Sequence, residues 1–130
     1  MAELIMVINV KTYEAQTLEG NNAKVVMIPF SAEAEGKYFN GTTVAEGIDT
    51  QIISDSSFSV SARYMLEGTD CLGEKCRLFI ENNGSSFDNC VPKIYTDSKA
   101  LAFLEAARLN AEVEGIEKGV IIRIYAHDNR

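Results

Sequence analysis

Asp49 and Arg63 are the first residues in this sequence that could do chemistry, because each is an ionisable side chain inside a short, largely apolar segment. If both faced one cavity, the guanidinium could hold the carboxylate through a bidentate contact, and the pair could bind a carboxylate or hydroxyl ligand. The commoner alternative is a buried ion pair that only fixes strand register, or two surface charges that never meet. Both interpretations remain open at the level of sequence.

Glu67 and Asn83 extend the candidate site. Glu67 follows Arg63 by four residues, so the period of two in a strand puts both on one face, and Glu67 could join a polar cluster with Asp49. As a general acid or base, Glu67 would need a raised pKa. Asn83 before Gly84 is most simply a turn residue, with ligand binding as the alternative. We predict Asp49, Arg63, Glu67 and Asn83 as ligand-binding residues and assign no catalytic residue.

The sequence predicts no metal site and no cofactor. His127 is the single histidine, and Cys71, Cys76 and Cys90 include no Cys-x-x-Cys pair. A glycine-rich phosphate loop and a Gly-x-Ser-x-Gly elbow are both missing from the sequence. Because Cys71 and Cys76 flank a predicted hairpin loop, a disulfide between them is one interpretation, and reduced thiols in a cytosol are the other.

The elements that must position these residues are predicted to be short strands. Residues 58–66 give the clearest pattern, because apolar side chains alternate there with mostly polar ones. Pro29 is predicted to end its strand or to mark an edge. The predicted strands cover residues 1–10, 23–30, 37–44, 47–54, 58–68, 76–83, 91–95, 109–114 and 120–127.

One helix is predicted between the last two groups of strands. Thr96 or Asp97 can cap it, and apolar residues from Ala100 to Ala107 recur at helical spacing over about three turns. Because no helix separates the earlier strands, we predict a single domain over residues 1–130 that is mainly β. Its expected architecture is an antiparallel β-barrel of about 8–10 strands, with the helix covering one end.

Composition limits the partners. Twelve Lys and Arg stand against nineteen Asp and Glu, a net charge of −7, which repels phosphate backbones and anionic lipid. We therefore predict no nucleic-acid partner and no membrane partner. The apolar residues 2–10 lack a basic segment and a cleavage site, so they indicate a first strand and a cytosolic protein. A homo-oligomer is expected only through an apolar surface patch.

Three segments in order resemble the bacterial family called domain of unknown function 3237. They are Gly-Ile-Asp-Thr-Gln at 47–51, Ser-Ala-Arg-Tyr-Met-Leu-Glu at 61–67 and Leu-Phe-Ile-Glu-Asn-Asn-Gly at 78–84. Two departures are Thr50, where the family usually has an aromatic residue, and a longer, cysteine-bearing loop at 69–75. The resemblance implies an antiparallel β-barrel that is often oligomeric and has no established reaction.

Three functions follow from these expectations. The first is binding of a small organic molecule in the barrel lumen or mouth. The second is a small lyase or isomerase that transfers protons, with Asp49 or Glu67 as base and Arg63 stabilising negative charge. The third is an oligomeric structural or interaction module with a packed lumen. An open lumen that contains both Asp49 and Arg63 would favour the first two.

Overall fold

The computed structural model describes residues 2–86 and 89–127, which form ten β-strands and one short 3₁₀ turn. No helix in these ranges is long and apolar enough to cross a membrane. The strands are β1 (Ala2–Thr12), β2 (Gln16–Glu19), β3 (Lys24–Glu35), β4 (Phe39–Thr43), β5 (Gly47–Ile53), β6 (Phe58–Asp70), β7 (Lys75–Gly84), β8 (Cys90–Thr96), β9 (Arg108–Ile116) and β10 (Gly119–His127).

The strands close into an antiparallel barrel. β6 to β10 pair in sequence order, and β1 closes the circle by pairing with β10 on one side and β3 on the other. β4 and β5 lie end to end between β3 and β6, and β2 continues the line of β1 along β3. The ten strands therefore occupy eight positions. The prediction of a mainly β, antiparallel barrel is confirmed.

The prediction that a strand ends at Pro29 is wrong, because β3 runs through it to Glu35. Along one side of β3, β1 pairing stops at Phe30 and β2 pairing begins at Met27. Pro29 lies between these two ladders, and its carbonyl accepts the backbone N–H of Tyr13 at 2.9 Å. A residue without an N–H is tolerated there because no partner strand is opposite its nitrogen.

The predicted helix near the C-terminus is also wrong. The segment between β8 and β9 contains only a 3₁₀ turn at Ala102–Glu105, with Leu104 N–H donating to the Leu101 carbonyl at 2.9 Å. A short helix depends on tertiary packing for its stability, and here the two leucines pack into the core from a 3₁₀ turn instead. A 3₁₀ turn aligns residues three apart, which brings Leu101 and Leu104 to one side, where they are 0% and 1% exposed.

Packing differs between the two ends of the barrel. At the end that holds the β6–β7 hairpin, the 3₁₀ segment contributes Leu101 and Leu104 to the main hydrophobic core. At the opposite end, residues of β1, β3 and β5 to β10 surround a space that side chains fill only in part. The largest fully buried side chains are Ile5, Met6, Ile8, Phe39, Leu66, Leu78, Ile80, Ile94, Leu101, Leu104 and Ile124.

Candidate ligand site in the barrel lumen

β5 reverses the usual polarity of a barrel strand. Asp49 and Gln51 line the lumen, whereas Ile48 and Ile52 line the outer wall. Gly47, next to them, packs so closely that a Cβ there would lie 2.6 Å from the Phe30 ring. A strand that turns polar residues inward and apolar residues outward contradicts the pattern that stabilises a core. Such local contradictions concentrate at functional sites.

The pairing register puts Asp49 in line with a second polar side chain. Asp49 is opposite Ala62 on β6, and Ala62 is opposite Asn82 on β7. Adjacent strands lie about 4.8 Å apart, so the Asp49 and Asn82 Cα atoms are separated by roughly 10 Å. Since only a methyl group stands between them, both polar side chains have room to meet one molecule above Ala62.

Asp49, Ala62 and Asn82 form a row across three strands, and this row borders a cavity of about 130 Å³. An engineered protein cavity of about 150 Å³ holds benzene, so this space suits a molecule of that size or slightly smaller. Apart from a few polar groups, its walls are aliphatic or aromatic. The lining residues are Val10, Thr12, Ile28, Phe30, Asp49, Gln51, Val60, Ala62, Asn82, Cys90, Val113, Val120 and Ile122.

Two buried oxygens of this row have no hydrogen-bond partner among the described residues: Asp49 Oδ1 and Asn82 Oδ1. The other carboxylate oxygen, Asp49 Oδ2, accepts a hydrogen bond from Gln51 Nε2 at 3.2 Å. Burial raises the pKa of Asp49, and the Gln51 hydrogen bond opposes this only in part. Each buried acceptor left unpaired costs about 1–3 kcal/mol, so this end of the barrel is under-satisfied.

Tyr64 lies deeper on the inner face of β6. Its ring meets Phe30 edge to face, with centroids 5.2 Å apart. Its hydroxyl is buried and has no partner among the described residues, and burial raises the pKa of this phenol. Tyr64 therefore stays neutral and adds a third unsatisfied polar atom to the interior.

Arg63 does not share the lumen with Asp49. Its neighbour across the ladder is Ile48, and its side chain lies on the outer wall, where Arg63 Nε is 2.9 Å from Glu81 Oε2. The two residues are thus on opposite faces of the barrel wall, and the expected Asp49–Arg63 contact is not formed. An exposed ion pair of this kind contributes little to stability.

Glu67 and Asn83 also lie outside the lumen. Glu67 Oε2 is 2.9 Å from Arg77 Nε, and Lys75 is nearby. The hydrogen bond from Arg77, together with the Lys75 charge, lowers the pKa of Glu67, whereas a general acid would need a raised one. Asn83 is exposed on the outer face of β7. Of the four predicted residues, only Asp49 lines the cavity.

Sequence reasoning missed Gln51 and Asn82 as lumen residues. Asn82 continues the inward series of Leu78 and Ile80 along β7, so its position on the apolar face was visible in the sequence. Gln51 shares the face of Asp49 by the same alternation. Its direction depended on recognising that β5 is reversed, which no single-strand pattern indicates.

The other features of the described residues are weaker candidates for a functional site than the lumen. Wider depressions of about 480 Å³ lie on the outer wall, one of them beside Met27, Ile48 and Arg63, but they are open to solvent and contain no unpartnered buried oxygen. No group of three His, Cys, Asp or Glu side chains in residues 2–86 and 89–127 could hold a metal ion. No disulfide joins the cysteines within those ranges.

No protein-family model and no curated protein matches this chain. A protein of unknown function from Clostridium acetobutylicum is similar in structure, with a TM-score of 0.82, 20% identity and coverage of 98% of this chain and 99% of that one. One from Rhodopseudomonas palustris has a TM-score of 0.83 at 16% identity, with coverage of 97% and 96%.

A third similar structure is that of an enzyme from Penicillium herquei. Its TM-score is 0.81 at 11% identity, and the match covers 98% of this chain and 94% of that one. The likeness is one of fold. At these identities the comparisons carry no residue role from one protein to the other, and the barrel is what the four chains have in common.

Proposed function

We propose that this protein binds a small organic molecule in the barrel lumen beside Asp49. The observation that carries the proposal is the pair of buried, unpartnered oxygens, Asp49 Oδ1 and Asn82 Oδ1, of residues that line a mostly apolar cavity. Buried polar atoms are nearly always satisfied in folded proteins, and a ligand that donates hydrogen bonds would satisfy both of these.

The cavity also limits the ligand. About 130 Å³ admits a compact body of roughly four to six non-hydrogen atoms, and the walls around it favour an apolar one. The polar end of the molecule must carry N–H or O–H donors, because the two unpartnered atoms of residues that line the cavity, Asp49 Oδ1 and Asn82 Oδ1, are acceptors. The ligand class is therefore a small apolar molecule with one donor group.

Of the residues predicted to act in the alternative enzyme function, only one lines the lumen. Arg63 and Glu67 lie on the outer wall, so neither can stabilise charge or move a proton in the lumen. Asp49, with a carboxylate beside the cavity and a raised pKa, keeps the chemistry of a general base. The Penicillium herquei enzyme indicates that a barrel of this shape is compatible with catalysis. Proton-transfer chemistry by Asp49 therefore remains the second candidate.

The remaining expectations stay predictions. These are membership of the family called domain of unknown function 3237, a cytosolic location, a possible homo-oligomer, and the absence of nucleic-acid and membrane partners. For the oligomer, exposed Met27 and Ile52 beside Ile48 form an apolar strip on the outer wall of β3 and β5. Size-exclusion chromatography with light scattering measures the subunit number directly.

Filling the lumen tests the proposed function. Ala62→Leu places a larger side chain between Asp49 and Asn82, and Ser61→Leu places the same side chain on the outer wall of the same strand. With isobutanol as a probe at millimolar concentration, we expect amide NMR shifts around the lumen in the wild type and the Ser61 variant. The Ala62 variant should lose them. Shifts confined to the outer wall, or equal shifts in both folded variants, would contradict the proposal.

A further inference from the structure

We propose that the molecule held in this lumen is a small primary amine, bound as its ammonium ion with Asp49 as its counter-ion. The inference rests on the proposed function and names the chemical class of its ligand. It follows from what surrounds the Asp49 carboxylate, from the donors that the two free acceptors require, and from the shape of the apolar walls.

Asp49 has no cationic partner in the part of the chain that the structure describes. None of the described residues that line the cavity is Lys, Arg or His, and the one other titratable group among them is the Cys90 thiol, which donates to the Ser86 carbonyl at 3.2 Å. The neighbours of Asp49 across the ladders are Ile28 and Ala62. A partly buried carboxylate without a counter-charge is unfavourable, and a cationic ligand would offset that cost.

The number of hydrogen-bond donors that the site requires also favours an ammonium group. Asp49 Oδ1 and Asn82 Oδ1 are both acceptors in need of a donor, and an ammonium group carries three N–H donors whereas a hydroxyl carries one. Hydrogen bonds between ionised groups are roughly twice as strong as neutral ones. The Phe30 ring in the cavity wall offers a further favourable surface for a cation.

An anionic ligand is disfavoured by the same geometry. A carboxylate would have needed the Arg63 guanidinium inside the barrel, but that group is paired with Glu81 on the outer wall. The chain has a net charge of −7, which raises the local concentration of cations and lowers that of anions. The cavity should therefore discriminate by charge among molecules of the same shape.

Amine binding should depend on pH with a definite sign. The ionised carboxylate attracts the ammonium group, so affinity falls when the pH is lowered through the pKa of Asp49, which burial places above its ordinary value of 3.8. At alkaline pH the amine itself loses its proton and affinity falls again. The Cys90 thiol is the other titratable group among the residues that line the cavity.

Three probes of nearly equal shape test the proposal: isobutylamine, isobutanol and isobutyrate. Each is titrated into the wild type, Asp49→Asn and Glu67→Gln, with amide NMR shifts as the readout. Asp49→Asn removes the lumen charge with almost no change in volume. Glu67→Gln removes one negative charge from the outer wall and controls for the overall field. Thermal unfolding checks that both variants are folded.

We expect the amine to bind the wild type about tenfold more tightly than the alcohol, and isobutyrate to cause no shifts around the lumen. Asp49→Asn should weaken amine binding about tenfold and leave the alcohol within about threefold, while Glu67→Gln changes neither by more than about threefold. In the wild type, amine affinity should also fall on acidification, a readout that needs no variant.

Two results would overturn the inference and leave the proposed function standing. One is an affinity for isobutanol in the lumen equal to that for isobutylamine, and the other is an amine affinity that does not change in Asp49→Asn. A lumen that responds to none of the three probes in the folded wild type would contradict the proposed function itself.

Discussion

Two aspartates turn their carboxylates inward near opposite ends of the barrel, and the surrounding chain satisfies them to very different degrees. Asp70 Oδ1 accepts the backbone N–H groups of Leu72 and Glu74 at 2.9 and 3.0 Å, and Asp70 Oδ2 accepts the Ser98 hydroxyl at 2.7 Å. Asp49 accepts one hydrogen bond, from Gln51, and keeps one oxygen unpartnered.

The pKa shifts of the two carboxyls follow from this difference. The Ser98 hydrogen bond, helped by the two backbone donors, lowers the pKa of Asp70, whereas burial raises the pKa of Asp49. Asp70 links the β6–β7 hairpin to the segment that carries Leu101, since Ser98 Oγ also accepts the Leu101 N–H. At the end that Leu101 and Leu104 close, which we call the closed end, the Asp70 carboxylate thus has a structural role. At the opposite, open end, the Asp49 carboxylate is available to a ligand.

Truncating the buried leucine that fills the closed end should have the largest effect on stability. Leu101 is 0% exposed, so Leu101→Ala leaves a cavity and should lower the free energy of unfolding by about 2–5 kcal/mol. Leu72→Ala, at a position 74% exposed in the hairpin loop, is the matched control and should change it by less than about 0.5 kcal/mol. Urea unfolding measures both. Equal effects would mean that the 3₁₀ segment does not seal the barrel.

Asp70→Asn should have the next largest effect. Loss of the charge weakens three hydrogen bonds, so we expect the Tm at pH 7 to fall by roughly 5 °C. Because the folded-state pKa is lowered, the stabilising contribution of ionised Asp70 is present above the unfolded-state pKa and is lost as the pH falls through the folded-state pKa. The difference from the wild type should shrink on acidification, as thermal unfolding across pH would measure.

Asp49→Asn should act in the opposite direction and more weakly. Partial burial makes ionisation of the Asp49 carboxyl unfavourable in the folded state, and the amide of the variant avoids that cost, so the variant should have a Tm higher by roughly 2–5 °C. The folded-state pKa of Asp49 is raised, so the wild type gains stability as the pH falls through that value, and the difference should again disappear. A destabilised, folded variant at pH 7 would contradict our description of the lumen.

Much of the fold was predictable from alternation along the strands. In β6, the apolar series from Phe58 to Leu66 faces inward, as the sequence indicates, and Arg63 lies on the polar, outer face. The same pattern already argued against Arg63 as a lumen residue. The helix prediction failed because a spacing of three between Leu101 and Leu104 suits a 3₁₀ turn as well as an α-helix, so the apolar pattern alone does not distinguish the two.

The candidate site was less predictable than the fold. The direction of Asp49 depends on the register that puts it opposite Ala62, and a slip of one residue would move every side chain of β5 to the other face. Periodicity alone would turn Ile48 and Ile52 inward and Asp49 outward. The reversal is set by long-range pairing with β3 and β6, which a single sequence does not reveal.

The most direct test of the contrast between the two ends is a ¹³C NMR titration of the side-chain carboxyls, in which Asp49 and Asp70 are followed in the same sample. We predict that Asp49 titrates above the ordinary value of 3.8 and that Asp70 titrates below it. Equal pKa values, or the reverse order, would contradict the account of a satisfied carboxylate at the closed end and an available one in the lumen.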